Sequence, residues 1–164
     1  TELADQYRAG EYEPLSTEQA ITYCAFLKTW FEQHNIEVIR TGLQSTEELD
    51  SGNSLVAGPY EPAMGELVVN EQYKLSIERC INEHIEYFVD KELSQRNVWG
   101  RLNTFTDLNI SIFYPRILTS KVRGLKNRNI LYFQETYPHL NINWYEDNTR
   151  NTVCCCIDGL QYVL

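Results

Sequence analysis

The chain has 164 residues, 43% of them hydrophobic, and a formal charge of −9 at neutral pH. That length suits one ordinary domain or two small ones, and the apolar content can fill a real core, so the reading is a soluble globular protein. No window approaches eighteen apolar residues, and the opening TELADQYRAG has neither a basic nor an apolar leader region, which points to a cytoplasmic protein without a membrane span or signal peptide.

Residues 16–34 give the clearest helix. Ser16 followed by Gln19 forms a capping box, and Ala20, Ile21, Cys24, Leu27 and Phe31 recur at helical spacing. A turn at His34 and Asn35 leads into IEVIR, residues 36–40, which reads as a strand ending in the polar turn TGLQ. Ligands gather at the carboxyl ends of strands in parallel α/β folds, so Arg40 and Gln44 have the address of binding residues. SGNSLVAGPYEP then punctuates the chain, and Pro62 suits the first turn of a helix running to about Asp90. One long helix or two broken near Asn70 both fit its stripe of Met64, Leu67, Val68, Ile77, Ile81, Ile85 and Phe88.

The last third changes character. LNISIFY alternates as a strand and stops at Pro115, two short helices surround GLKN, and LNINWYED and NTVCCCI read as two closing strands, giving the order β-α-α-β-β. The boundary between the two parts is expected within residues 90–107. Charge divides in the same sense: residues 1–106 hold 8 Lys/Arg against 18 Asp/Glu, and residues 107–164 hold 6 against 5. Such asymmetry fits a tail facing a polyanion, or simply a solvated acidic front.

Within that tail, V-R-G-L-K-N-x-x-I resembles the V-I-G-x-x-G-x-x-I of the KH module, whose interhelical loop clamps a nucleic-acid backbone. Gly124 holds the first glycine position and Asn127 replaces the second. Asn tolerates a left-handed backbone, so the turn can survive, while its side chain narrows the approach of a phosphate. Lys121, Arg123, Lys126 and Arg128 surround the loop and could contact phosphates. The competing explanation is a glycine-terminated helix on a solvated basic surface.

Other groups carry less. Glu47, Glu48 and Asp50 stand together with no histidine nearby and read as a solvated acidic loop. The five cysteines fit no disulfide framework and no C-x-x-C pattern; on a strand Cys154 and Cys156 face one side and Cys155 the other, as small core residues would. His34, His84 and His139 are scattered. Tyrosines and tryptophans offer stacking surface or plain core.

TELADQYRAGEYEPLS, IEVIRTGLQ, VAGPYEPAMGELV and SKVRGLKNRNILYF together resemble the C-terminal part of a radical-SAM enzyme. The likeness is to bacterial proteins similar to the Elongator catalytic subunit, often described as related to oxygen-independent coproporphyrinogen III oxidase. It spans most of residues 1–70 and resumes near residue 108. It implies that residues 36–40 are a late strand of a partial α/β barrel whose earlier strands are missing, with Arg40 and Gln44 facing S-adenosylmethionine or substrate at the barrel mouth. The family's [4Fe-4S] cluster is held by C-x-x-x-C-x-x-C, which these residues lack, so the resemblance implies a fragment that binds no cluster and catalyses nothing alone. Glu61 stands where the family's A-G-P-x-H-P turn has histidine.

The resulting expectation is an α/β (α+β) chain: residues 1–60 as the last helix-strand unit of a partial TIM-type barrel, 61–106 as a helical bridge, and 107–164 as a KH-like tail. The expected partners are the missing N-terminal barrel and RNA, tRNA in particular. Two alternatives are a non-catalytic RNA- or protein-binding module, and a coproporphyrinogen-oxidase-like enzyme whose tail is purely structural.

Overall fold

A computed structural model describes residues 1–94 and 108–164. It divides into two units, Thr1–Gln72 and Tyr73–Leu164. The boundary expected within residues 90–107 falls largely outside the described residues.

The first unit is helical. α1 (Glu2–Ala9) is capped by Thr1 and ends at Gly10. α2 (Thr17–Gln33) begins with the capping box as expected: Gln19 N–H donates to Ser16 Oγ at 3.2 Å, and Ser16 N–H donates to Gln19 Oε1 at 2.9 Å. Its buried residues are Ala20, Ile21 and Ala25; Leu27, expected inside, is exposed. A one-turn α3 (Glu47–Asp50) follows, capped by Thr46, and then the start of α4 (Met64–Ser94), a single helix with no break at Asn70. Thr22 donates to Glu71, and Gln72 Nε2 donates to Thr29 Oγ1 at 3.0 Å and Glu32 Oε2 at 2.9 Å, so polar bonds tie α2 to the first turns of α4.

The strand expected at residues 36–40 does not form. That segment has no ladder partner among the described residues, because the four strands all belong to the second unit. An isolated strand leaves its backbone groups to water, and Ile39 accordingly stands 91% exposed.

In the second unit β1 (Asn109–Tyr114) lies at the centre of a four-stranded sheet of order β2-β1-β3-β4. After β1, a 3-10 turn (Arg116–Leu118), α5 (Thr119–Arg123), a second 3-10 turn (Leu125–Asn127) and α6 (Arg128–Thr136) lead to β2 (Asn141–Glu146), which runs parallel to β1. β3 (Cys154–Ile157) returns antiparallel to β1, and β4 (Leu160–Val163) pairs with β3. β4 extends the expected order to β-α-α-β-β-β. Its signal is the dipeptide Asp158-Gly159, both at positive φ (47° and 85°), the chemistry that a two-residue hairpin demands.

Period-two burial on β1 puts Ile110, Ile112 and Tyr114 inward, against Cys155 and Ile157 of β3 and against Val122, Phe133, Ile77 and Ile81 from the helices. Tyr132 and Tyr137 hydroxyls both donate to Glu78 Oε1, at 2.6 and 2.8 Å, so one carboxylate fixes α6 and its C-terminal turn to α4.

His84 is fully buried on α4 and shares a 2.9 Å hydrogen bond through Nδ1 with Tyr162 Oη, while its Nε2 has no partner. Burial holds its pKa below the usual value, with the charge of Asp158 pulling weakly the other way. An unfolded histidine titrates near ~6.5, so below that pH the unfolded chain takes up more protons and the fold loses stability until the lower folded pKa is passed. Urea midpoints are therefore expected to be level above neutrality and to fall towards pH ~5, with a smaller fall in His84→Gln. Equal falls in both proteins would reject the assignment.

Candidate functional site

Residues 116–128 contain five cations and no acid. Pro115 ends β1, and Arg116 N–H then donates to Asn148 Oδ1 at 2.9 Å while Leu118 N–H donates to the Pro115 carbonyl at 2.9 Å. α5 stops at Gly124, whose φ of 77° and ψ of 157° lie in a region essentially closed to other residues. Lys126 (φ 54°, ψ 33°) and Asn127 (φ 62°, ψ 25°) then take consecutive left-handed conformations. The expected tolerance of Asn127 for that backbone holds; the same conformation at Lys126 was not foreseen from the sequence. Such strain persists only where the surroundings over-determine it. Asn129 supplies part of that constraint: fully buried, its Nδ2 donates to the Val122 carbonyl at 3.0 Å, satisfying an orphan acceptor at the end of α5.

The loop borders an open groove of about 450 Å³, lined by Arg116, Ile117, Arg123, Leu125 and Lys126 together with the Gly124 backbone. Arg123 is half buried, bonds the Tyr114 hydroxyl, and keeps its Nε buried without an acceptor. Lys121 and Arg128 lie outside the lining. Of the residues expected to contact phosphate, Arg123, Gly124, Lys126 and Asn127 thus share one groove, while Lys121 and Arg128 do not line it. Sequence reasoning missed Arg116 and Ile117, which the length of α5 separates from the loop along the chain and the fold returns to it.

In the first unit Arg40 Nη2 donates to Gln44 Oε1 at 3.3 Å, and both side chains are exposed. Arg40 borders a second open groove, of about 540 Å³, with Lys28, Thr41, Pro62, Gly65 and Glu66; Gln44 is not in its lining. Two of the acidic residues of α3, Glu48 and Asp50, are bonded within their own segment. Asp50 accepts from Ser45 Oγ and Tyr60 Oη, and those bonds hold its carboxyl below the usual range.

The thiols do not fit an iron-sulfur cluster. Cys80, Cys154 and Cys155 are buried, and burial pushes Cys155 and Cys80 up, away from the thiolate that iron requires. As the strand pleat demands, Cys155 joins the core while Cys154 accepts from Gln161 at 3.4 Å. Among the described residues no three His, Cys, Asp or Glu side chains converge as a metal site, and no helix is long and apolar enough to cross a membrane.

Residues 1–74 match the Radical_SAM C-terminal domain. The match supports a radical-SAM family protein, and such a family implies a [4Fe-4S] cluster and S-adenosylmethionine in the parent protein. The matched residues end beside the boundary between the two units at Gln72. No curated protein and no solved structure matches the chain.

Proposed function

We propose that this chain is the C-terminal part of an Elongator-like radical-SAM enzyme. Its first unit docks on the rest of the catalytic barrel, and its second, KH-like unit presents RNA, tRNA in particular.

The observation that carries the enzyme reading is the coincidence of the family match with a unit whose surface is unfinished. Tyr23, Phe26, Leu27 and Trp30 stand at i, i+3, i+4 and i+7 on α2, the spacing of a core-facing stripe, and all four are exposed, Phe26 to 65%. Leu43, Val56 and Ile39 add to the apolar surface of the same unit. An exposed apolar surface of that kind marks an interface, and the preceding barrel of the same polypeptide is the proposed cover.

When bound, the cluster and S-adenosylmethionine supply a 5′-deoxyadenosyl radical; the residues described here hold neither iron nor the reacting atoms. Arg40, kept in place by Gln44, offers a guanidinium to a carboxylate of cofactor or substrate. The test is 5′-deoxyadenosine formation by the longer polypeptide after anaerobic reconstitution. The expected result is turnover that Arg40→Ala weakens through a rise in KM of about tenfold or more. A longer polypeptide that never cleaves S-adenosylmethionine would refute the enzyme.

For RNA, the net charge of −9 is unfavourable. At physiological ionic strength, however, exposed charges are screened beyond about 8 Å, so the local cluster governs contact with a phosphate. The loop between α5 and α6 supports this reading through its cations and its strained backbone.

A further inference from the structure

We infer that the outer face of the sheet is a self-association surface, on which a second copy of this chain packs face to face about a two-fold axis. The inference is independent of the loop between α5 and α6. The helices take the inner face, where Ile110, Ile112, Tyr114, Cys155 and Ile157 enter the core. The strand residues between these point the other way, and among the described residues none of them joins that core. Register sorts the outward residues into rows across the sheet. Tyr145, Phe113, Cys154 and Val163 are cross-strand neighbours and make an apolar row; Asn143, Ser111, Cys156 and Gln161 make a neutral polar row beside it. Asn109 and Asn141 pair beyond them.

No outward strand position is Asp, Glu, Lys or Arg, in a chain where 23% of residues are charged. Charge depletion around exposed aromatic side chains is the composition of an interface core, and Tyr145 and Val163 stand 46% and 66% exposed. The apolar row is also held in place. The Phe113 and Tyr145 rings stack at 5.2 Å, and Arg150 lies 5.0 Å from the Phe113 centroid while its Nε donates to Asp147 Oδ2 at 2.9 Å. A partner therefore meets a surface that is already ordered. Charge decides which partner fits. A polyanion meets no outward strand cation, since Arg150 is paired with Asp147, and a strongly charged protein meets no counter-charge. A two-fold interface sets the same patch against itself, which disfavours charges and favours groups that both donate and accept. The amides are such groups. Asn141 Nδ2 donates to Asn109 Oδ1 at 3.0 Å and Asn143 Nδ2 to Asn141 Oδ1 at 3.3 Å, and an amide that makes one such bond has further N–H and lone-pair capacity. Strand spacing and rise make the face roughly 19 by 20 Å at most. That is well under the ~800 Å² that each partner of a standard interface buries, so the dimer is weak, with a Kd of about 10–100 µM.

The test is sedimentation equilibrium of the 164-residue chain between about 5 and 500 µM, which brackets that Kd. A monomer–dimer equilibrium is expected. Because each copy carries −9, association is expected to tighten between about 50 and 500 mM salt, the reverse of binding to RNA. Asn143→Lys/Gln161→Lys places like charges on both faces and is expected to weaken the dimer about tenfold or more, with an unchanged urea midpoint. Val163→Lys, at a position 66% exposed on an edge strand, is expected to act in the same direction without affecting folding. Phe26→Ser/Trp30→Ser, which removes part of the exposed stripe of α2, is expected to leave the dimer intact. A chain monomeric throughout that range, association that the lysine variants retain, or association that Phe26→Ser/Trp30→Ser abolishes would each overturn the inference.

Discussion

Gly124→Ala is expected to destabilise the second unit by about 3 kcal/mol. Two costs combine. The backbone at φ 77° and ψ 157° is essentially reserved for glycine, which alone accounts for about 1–3 kcal/mol. A Cβ there would also lie 3.0 Å from Asn129 N and 3.1 Å from its Cγ and Oδ1. Asn129 cannot yield cheaply, because its side chain is buried and holds the Val122 carbonyl. Relief by moving Asn129 would therefore break the bond that fastens the end of α5 to α6. Urea unfolding reads the effect as a midpoint lower by about 1 M or more. A variant within about 0.5 kcal/mol of the parent would mean that the loop adopts another conformation, and the groove built on it would fall as well.

Gly42→Ala is expected to be comparably costly in the first unit. Gly42 has a φ of 84°, and a Cβ would come within 2.8 Å of both Cβ and Cγ of Met64, the buried residue that opens α4. The Cβ is fixed by the backbone, so a rotamer change could move the Cγ but not clear the Cβ contact. The TGLQ turn would have to lift from the helix start, and Arg40 and Gln44 would move with it. Thermal melting of Gly42→Ala beside Gly42→Ala/Met64→Ala separates part of the causes: the double variant removes the Cγ clash and keeps the Cβ contact and the backbone strain. Part of the loss is expected to return in the double variant, net of the cavity that Met64→Ala opens. A Gly42→Ala melt equal to the parent's would show that the turn does not rest on Met64.

The two halves were legible to different degrees, for reasons that lie in where their information sits. The α2 capping box and the alternation on β1 are local signals, and both formed as read. Residues 36–40 carry strand-like residues, yet a strand is a property of a pair, and no partner lies among the described residues. Leu27 followed the helical period and is exposed, because the period identifies a face that must be covered without saying by what. β4 was legible and overlooked: Asp158-Gly159 between two apolar runs is a hairpin signal. The groove was half legible. Lys126 and Arg123 lie in the loop motif itself, whereas Arg116 and Ile117 precede α5 and share the groove because that helix is only five residues long. His84 and Asn129 carried no sequence signal, since a buried polar residue declares itself only when its partner is in place.

The most direct test of the account is the salt dependence of RNA binding by the 164-residue chain and by its Arg123→Gln/Lys126→Gln/Arg128→Gln variant. Three phosphate contacts on a single strand predict a slope of log K against log salt of about −2, and the variant is expected to lose that slope together with most of the affinity. A parent and variant with the same affinity and the same slope would contradict a nucleic-acid site at this loop.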